Sequence, residues 1–223
     1  GMSNYYDSSP SLDNCTFTGN TADLRGGGMS NYYGSSPTLT GCTFIDNVAD
    51  QNGGGVNGRA HLEATNCDFT GNMANQSGGA IYLTNGISPE FTDCDFTNNS
   101  ATQAGAVFFS NGTTLFTGCR FDGNQATGPY AGAIYNNKGT LTLADCVFDG
   151  NSCQANGGAI YNTIATTNAT DTVFTSNVAR SEGGAIWWNT GSSGAVLRCN
   201  FISNSVTGSD GGNGTGGALW YYD

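Results

Sequence analysis

Leu143-Ala144-Asp145-Cys146-Val147-Phe148-Asp149-Gly150-Asn151-Ser152-Cys153-Gln154-Ala155-Asn156-Gly157-Gly158-Ala159-Ile160 is the stretch from which the fold can be read. Cys146 and Phe148 stand two residues apart, the spacing that puts side chains on one face of a strand. Asn151 follows Phe148 by three residues, and the Gly157-Gly158 pair precedes an apolar residue; Asn and Gly are turn residues because they tolerate left-handed backbone. The segment therefore reads as short strands broken by tight turns.

The pattern recurs along the whole chain, and internal repetition outranks local propensity as a fold signal. Phe followed three residues later by Asn occurs eight times, at Phe17/Asn20, Phe44/Asn47, Phe69/Asn72, Phe96/Asn99, Phe121/Asn124, Phe148/Asn151, Phe174/Asn177 and Phe201/Asn204. Two residues before each Phe stand Cys15, Cys42, Cys67, Cys94, Cys119, Cys146, then Thr172, then Cys199. Three residues further back runs the apolar file Leu12, Leu39, Ala64, Phe91, Phe116, Leu143, Ala169 and Val196. Two residues after each Asn comes a small one, Ala22, Ala49, Ala74, Ala101, Ala126, Cys153, Ala179 or Val206, which suits a tight inward corner. After the Gly-rich turn, Met2, Met29, Val56, Ile81, Val107, Ile134, Ile160, Ile186 and Leu219 open the next strand.

One such coil cannot bury its own inner face, but stacked coils can, each column becoming a ladder with rungs about 4.8 Å apart. The expected fold is all-β: a right-handed parallel β-helix (β-solenoid) of about eight coils, with three short strands per coil. A helical array of similar period is excluded by the period-two alternation and the Gly pairs. A propeller blade needs about 40 residues per repeat. Residues 1–223 are expected to form a single solenoid domain, part of a longer array, because Gly1 to Tyr6 recurs inside the chain at Gly28 to Tyr33 and Gly216 to Leu219 opens a ninth coil.

These motifs resemble those of the polymorphic outer-membrane proteins of chlamydial autotransporters, whose repeats combine Gly-Gly-Ala-(Ile/Leu/Val) with Phe-x-x-Asn. The first motif is intact at Gly78 to Ile81, Gly157 to Ile160, Gly183 to Ile186 and Gly216 to Leu219. It is degraded at Gly27 to Met29, Gly54 to Val56, Ala104 to Val107 and Ala131 to Ile134, while the second is intact in every coil. The resemblance implies a right-handed β-helix passenger on a cell surface, with adhesion as its usual activity.

Composition narrows the partners. A net charge of -11, with one Lys and five Arg, lacks the clustered cations that a phosphate backbone needs, so nucleic acid is not expected. No stretch has the roughly 18 apolar residues of a membrane span, so membrane insertion by this segment is not expected. No cofactor is expected. The expected partners are the chain itself, through end-to-end stacking or lateral contact, further coils of the same chain, and surface glycans.

The Cys file admits buried thiols or disulfides between rungs; metal is disfavoured because neither His nor CxxC spacing accompanies it. The Asn file reads as structural, with each Asn in a left-handed turn and its amide bonded to the next coil. The sequons at Asn14, Asn75, Asn98, Asn111, Asn168 and Asn213 are read mostly as chance in an Asn- and Thr-rich chain. Strand alternation predicts that the residues after Ile81 and its equivalents point outward. From the fourth coil on these are Tyr82, Phe108, Tyr135, Tyr161, Trp187 and Trp220, an exposed aromatic stripe and the foremost candidate contact surface. For an enzyme, the candidate acids are Asp93 and Asp95 with Arg120, or Asp145, Asp149 and Asp171 with Lys138; His61 has no evident partner. Scattered outward carboxylates more often belong to a solvated surface, and no catalytic residue is expected. Asp210, in the loop from Gly208 to Thr215, is a weaker candidate for a cation. Thr-x-Thr at Thr16/Thr18, Thr38/Thr40 and Thr140/Thr142 does not share one register, so no flat Thr face forms.

Overall fold

The computed structural model describes residues 1–208 and 216–222; Asp210 and the sequon at Asn213 lie outside them. The described residues fold as a parallel β-solenoid whose strands stack into four sheets, one of nine strands and three of eight. In the sixth coil the strands are Ile134–Asn137, Thr140–Ala144, Val147–Asp149 and Ser152–Cys153. Each pairs in parallel with its counterpart one coil earlier and one coil later.

The columns read from the sequence are the registers observed. Each phenylalanine from Phe17 to Phe201 is the pairing partner of the next. Their rings stack face to face with centroids 4.6 to 5.0 Å apart and planes within 12°. Six of them, Phe44 to Phe174, are fully buried, and Leu39, Phe91, Phe116 and Leu143 line the same interior from the neighbouring sheet. Phe91 and Phe116 meet Phe96 and Phe121 edge to face, so the interior joins two aromatic files at right angles.

Each coil has four strands, not three. The file of small residues after each Asn, expected to be a bare corner, forms a sheet of its own, in which Ala22 pairs with Ala49, Ala74 with Ala101 and Cys153 with Ala179. The reason is backbone satisfaction: a corner repeated in every coil stacks on its own copies, and its peptide groups bond coil to coil as any strand's do. In the third to fifth coils this strand lengthens to Met73–Ser77, Ser100–Gln103 and Gln125–Tyr130.

The turn before that strand also differs from expectation. Asn20, Asn47, Asn72, Asn99, Asn124, Asn151, Asn177 and Asn204 do not take left-handed backbone themselves. The residue ahead of each does so instead: Gly19, Asp46, Gly71, Asn98, Gly123, Gly150, Ser176 and Ser203, with φ between 51 and 64°. The Asn is selected for its amide, which the turn delivers into the interior, and the backbone freedom is asked of its neighbour.

The Gly pair has two separate duties. Its first member turns the chain through left-handed backbone, as at Gly157 (φ 72°), and Ala104 and Ala131, both at φ 55°, accept the same turn where the motif is degraded. Its second member is Gly in all eight coils, and in the seven from Gly27 to Gly184 the next coil touches it: a Cβ on Gly158 would collide with the carbonyl oxygen of Gly184.

Candidate functional site

Inside the solenoid the polar files are structural. The side chains of Asn47, Asn72, Asn99, Asn124, Asn151 and Asn177 are fully buried, and each donates Nδ2 to the Oδ1 of the next Asn at 2.9 to 3.0 Å. The same Nδ2 donates at 2.8 to 2.9 Å to a Phe carbonyl of the preceding coil, as Asn72 does to Phe44 and Asn124 to Phe96. The Oδ1 also accepts a backbone N–H, so no polar atom of these amides is left over for a ligand.

The file is not uniform to its ends. Asn20 and Asn204 are only partly buried. Asn20 donates Nδ2 to Asn47 Oδ1 at 2.9 Å. Asn204 accepts from Asn177 at 2.9 Å and donates Nδ2 to the Phe174 carbonyl at 2.8 Å.

All eight cysteines are free thiols. In the column, the thiol caps the carbonyl oxygen two residues earlier, as Cys94 does to Thr92 at 3.3 Å and Cys146 to Ala144 at 3.3 Å. Thr172 makes the same bond to Thr170 at 3.0 Å, which explains the one exception: the position needs a small side chain with one donor. Burial pushes the Cys146 thiol up to about 11 and that of Cys153 to about 12. The adjoining Cys119 thiol, together with burial, pushes Cys94 up to about 12. Thiols that hold their protons this firmly are poor nucleophiles and poor metal ligands.

The aromatic stripe is not the exposed surface that alternation predicts. Phe108, Tyr161 and Trp187 are only 8, 4 and 5% exposed, and Tyr82, Tyr135 and Trp220 are half-buried. The side chains do leave the central core, but they cover one another. Tyr161 stacks on Trp187 at 4.5 Å, and Tyr130, from the lengthened strand of the fifth coil, lies 4.3 Å from Tyr161 and 5.7 Å from Tyr135. Glu182, in the turn before Trp187, accepts its indole N–H at 2.9 Å. From Tyr135 to Trp220 the stripe forms a small apolar cluster outside the main core, with Tyr130 packed on it, and burial raises the Tyr135 and Tyr161 phenols above their ordinary range.

The carboxylates considered for catalysis are dispersed. Asp93, Asp145 and Asp171 occupy one kind of corner, all with left-handed backbone at φ 50 to 54°, and Lys138 sits at a different corner at φ 59°. The Asp93 carboxylate fills the space that a Cβ on Gly118 would take in the next coil. Arg198 clasps Asp171 with two hydrogen bonds of 2.7 Å, which holds that carboxyl below its usual range. Arg120 does stand one coil from Asp95 in register, but its guanidinium bonds Asp122 at 3.1 Å and Asp149 at 3.3 Å. Burial and the nearby Asp68 raise the Asp95 carboxyl modestly.

What sequence reasoning missed is a cluster of tyrosines on the first two coils. Tyr5, Tyr6 and Tyr33 are 48, 76 and 61% exposed, and Tyr32 is partly so. Tyr5 stacks on Tyr32 at 4.9 Å and Tyr6 on Tyr33 at 5.1 Å. The signal is the repeated Asn-Tyr-Tyr at 4–6 and 31–33, because equal positions in successive coils must stack.

Four parallel sheets wound around files of Phe, Asn and thiol define a β-solenoid repeat protein. Three of its segments, residues 66–84, 145–163 and 171–187, match the Chlamydia polymorphic membrane protein repeat. Each runs from the Phe-x-x-Asn half of one coil through the Gly-Gly turn into the next, with Cys67 and Cys146 in the first two and Thr172 in the third, so the matched unit joins both motifs. No curated protein and no solved structure matches the chain.

Proposed function

We propose that the chain is a non-enzymatic segment of a cell-surface protein, serving as a stalk, adhesin passenger or filament subunit. The observation that supports this most is the fate of its chemistry-bearing side chains. The Asn amides are consumed in coil-to-coil bonds and the thiols in caps on carbonyls two residues earlier, Asp93, Asp145 and Asp171 sit in corners, and Arg120 and Arg198 are held in surface ion pairs. The repeat match to membrane proteins of Chlamydia points the same way for location. In this reading the partner is a further coil, of the same chain or of a second copy, since a parallel ladder accepts another rung by the same hydrogen bonds. A surface glycan is the second partner this reading allows, with Tyr82, Tyr135 and Trp220 the half-buried rings of the stripe open to it.

Two measurements test the reading. Protease shaving of intact cells that make the full-length protein should release peptides of these coils; their protection until lysis would contradict a surface role. Incubation of the folded chain with acidic polysaccharides should leave them intact. Depolymerisation that disappears with Asp95→Ala would overturn the non-enzymatic reading.

A further inference from the structure

The tyrosine loops of the first two coils are held in register by bonds on both sides of the rings. Tyr32 N donates to Asn4 O at 3.0 Å, Asp7 N to Tyr33 O at 3.0 Å, and Asn4 Nδ2 to Asn31 Oδ1 at 2.7 Å. Tyr6 and Tyr33 share the same left-handed turn, at φ 51 and 49°, so both loops throw their rings out in the same way. The result is two tyrosine pairs, each nearly parallel (22° and 10°), at about 5 Å, and open to solvent.

We propose that these loops are a dityrosine site, at which Tyr5 joins Tyr32 or Tyr6 joins Tyr33 through a carbon–carbon bond ortho to the phenol oxygens. The co-reactants are hydrogen peroxide and a haem peroxidase. Each phenol gives up one electron and one proton to become a phenoxyl radical, and the peroxide is reduced to two waters. The two radicals couple ring carbon to ring carbon; the hydrogens on those carbons leave as protons while the phenol oxygens are reprotonated, restoring both aromatic rings. Each crosslink therefore removes two hydrogens from the chain and consumes one peroxide.

Two features select this site over other tyrosines. The partner ring is already in place, so coupling is intramolecular and outruns encounters between molecules. The other tyrosine cluster is less suited: Tyr130, Tyr135 and Tyr161 meet at tilted or perpendicular angles of 36 to 85°, Tyr161 is buried, and Tyr82 stacks on Phe108, which has no phenol. Burial also makes the Tyr135 and Tyr161 phenols hold their protons more firmly. The crosslink would fasten one coil to the next across 27 residues of chain. Its chemistry stands on this geometry and does not require the surface reading.

The test is to treat the folded chain with a haem peroxidase and limiting hydrogen peroxide, then denature and digest it with trypsin. Cleavage after Arg25 and Arg59 separates Tyr5 and Tyr6 from Tyr32 and Tyr33. The expected result is dityrosine fluorescence, a chain still monomeric on a denaturing gel, and peptides 1–25 and 26–59 joined with the loss of two hydrogens. The double variant Tyr32→Phe/Tyr33→Phe keeps the ring stacks without their phenols, and it should lose the joined peptides and the fluorescence. Absence of dityrosine in the unaltered chain, dityrosine found only between other peptides or between molecules, or undiminished fluorescence in the double variant would each overturn the proposal.

Discussion

At Asn124 one side chain makes four hydrogen bonds: Nδ2 to Phe96 O and to Asn151 Oδ1, and Oδ1 from the Asn99 backbone N–H and the Asn99 amide. Asn124→Ala strands these partners in a dry interior, and an unmet buried polar group costs about 1–3 kcal/mol. Chemical denaturation should therefore show a loss of about 3 kcal/mol or more, against under about 0.5 kcal/mol for Asn75→Ala on the exposed surface. The thiols give a second expectation. Their folded pKa values lie above the ordinary value of 9.0, so their contribution is complete below pH 9 and is lost as pH climbs from there towards 12. Thermal melting should be flat across neutral pH and fall steeply above pH 9; a protein equally stable at pH 7 and pH 11 would contradict buried, protonated thiols. The Phe, Asn and Cys files are legible in the sequence because a column position recurs with one chemistry. Which residue of the turn bends left-handed is less legible, since at Asn98-Asn99 both candidates are Asn and only the second sends its amide inward. The cover over the aromatic stripe is not legible at all. Period-two alternation reports which way a side chain leaves the strand, and says nothing of Tyr130 arriving from a strand of a neighbouring sheet or Glu182 from the turn ahead of Trp187.

The strands are two to six residues long, and what holds them is their neighbours one coil away rather than their own propensity. The close approach at the second Gly of each pair is the element-scale constraint. Gly158→Ala would drive a methyl group into the Gly184 carbonyl and the Val178 backbone, neither of which is a flexible side chain, so the coils must separate locally. We expect about 3 kcal/mol of destabilisation, at the upper end for overpacking. Gly150→Ala has open space around its Cβ and meets only the left-handed penalty at φ 61°, about 1–2 kcal/mol. Unfolding curves of the two variants separate the effects; equal losses would show that coil contact is not what the Gly pair serves. The fourth strand escapes sequence reading because a two-residue strand such as Val48–Ala49 has no alternation to display. Only the repetition of small residues marks it, and small residues fit a corner and a strand alike.

For the whole molecule, about eight rungs at 4.8 Å give a stack near 40 Å long, in which every strand pairing among the described residues joins adjacent coils. Separation along the axis should therefore grow by one rung per repeat, whatever the side chain. The most direct measurement is pulsed electron resonance between spin labels on the outer face of the Phe-bearing sheet, attached through ketone side chains so that the thiols stay untouched. Thr43, Val173 and Asn200 occupy equivalent positions in that sheet, in the second, seventh and eighth coils. Labels at Thr43 and Val173 should lie about 24 Å apart and those at Thr43 and Asn200 about 29 Å apart, one further rung. Equal distances for the two pairs, or a separation far from five and six rungs, would contradict the stacking of like residues in files along one axis.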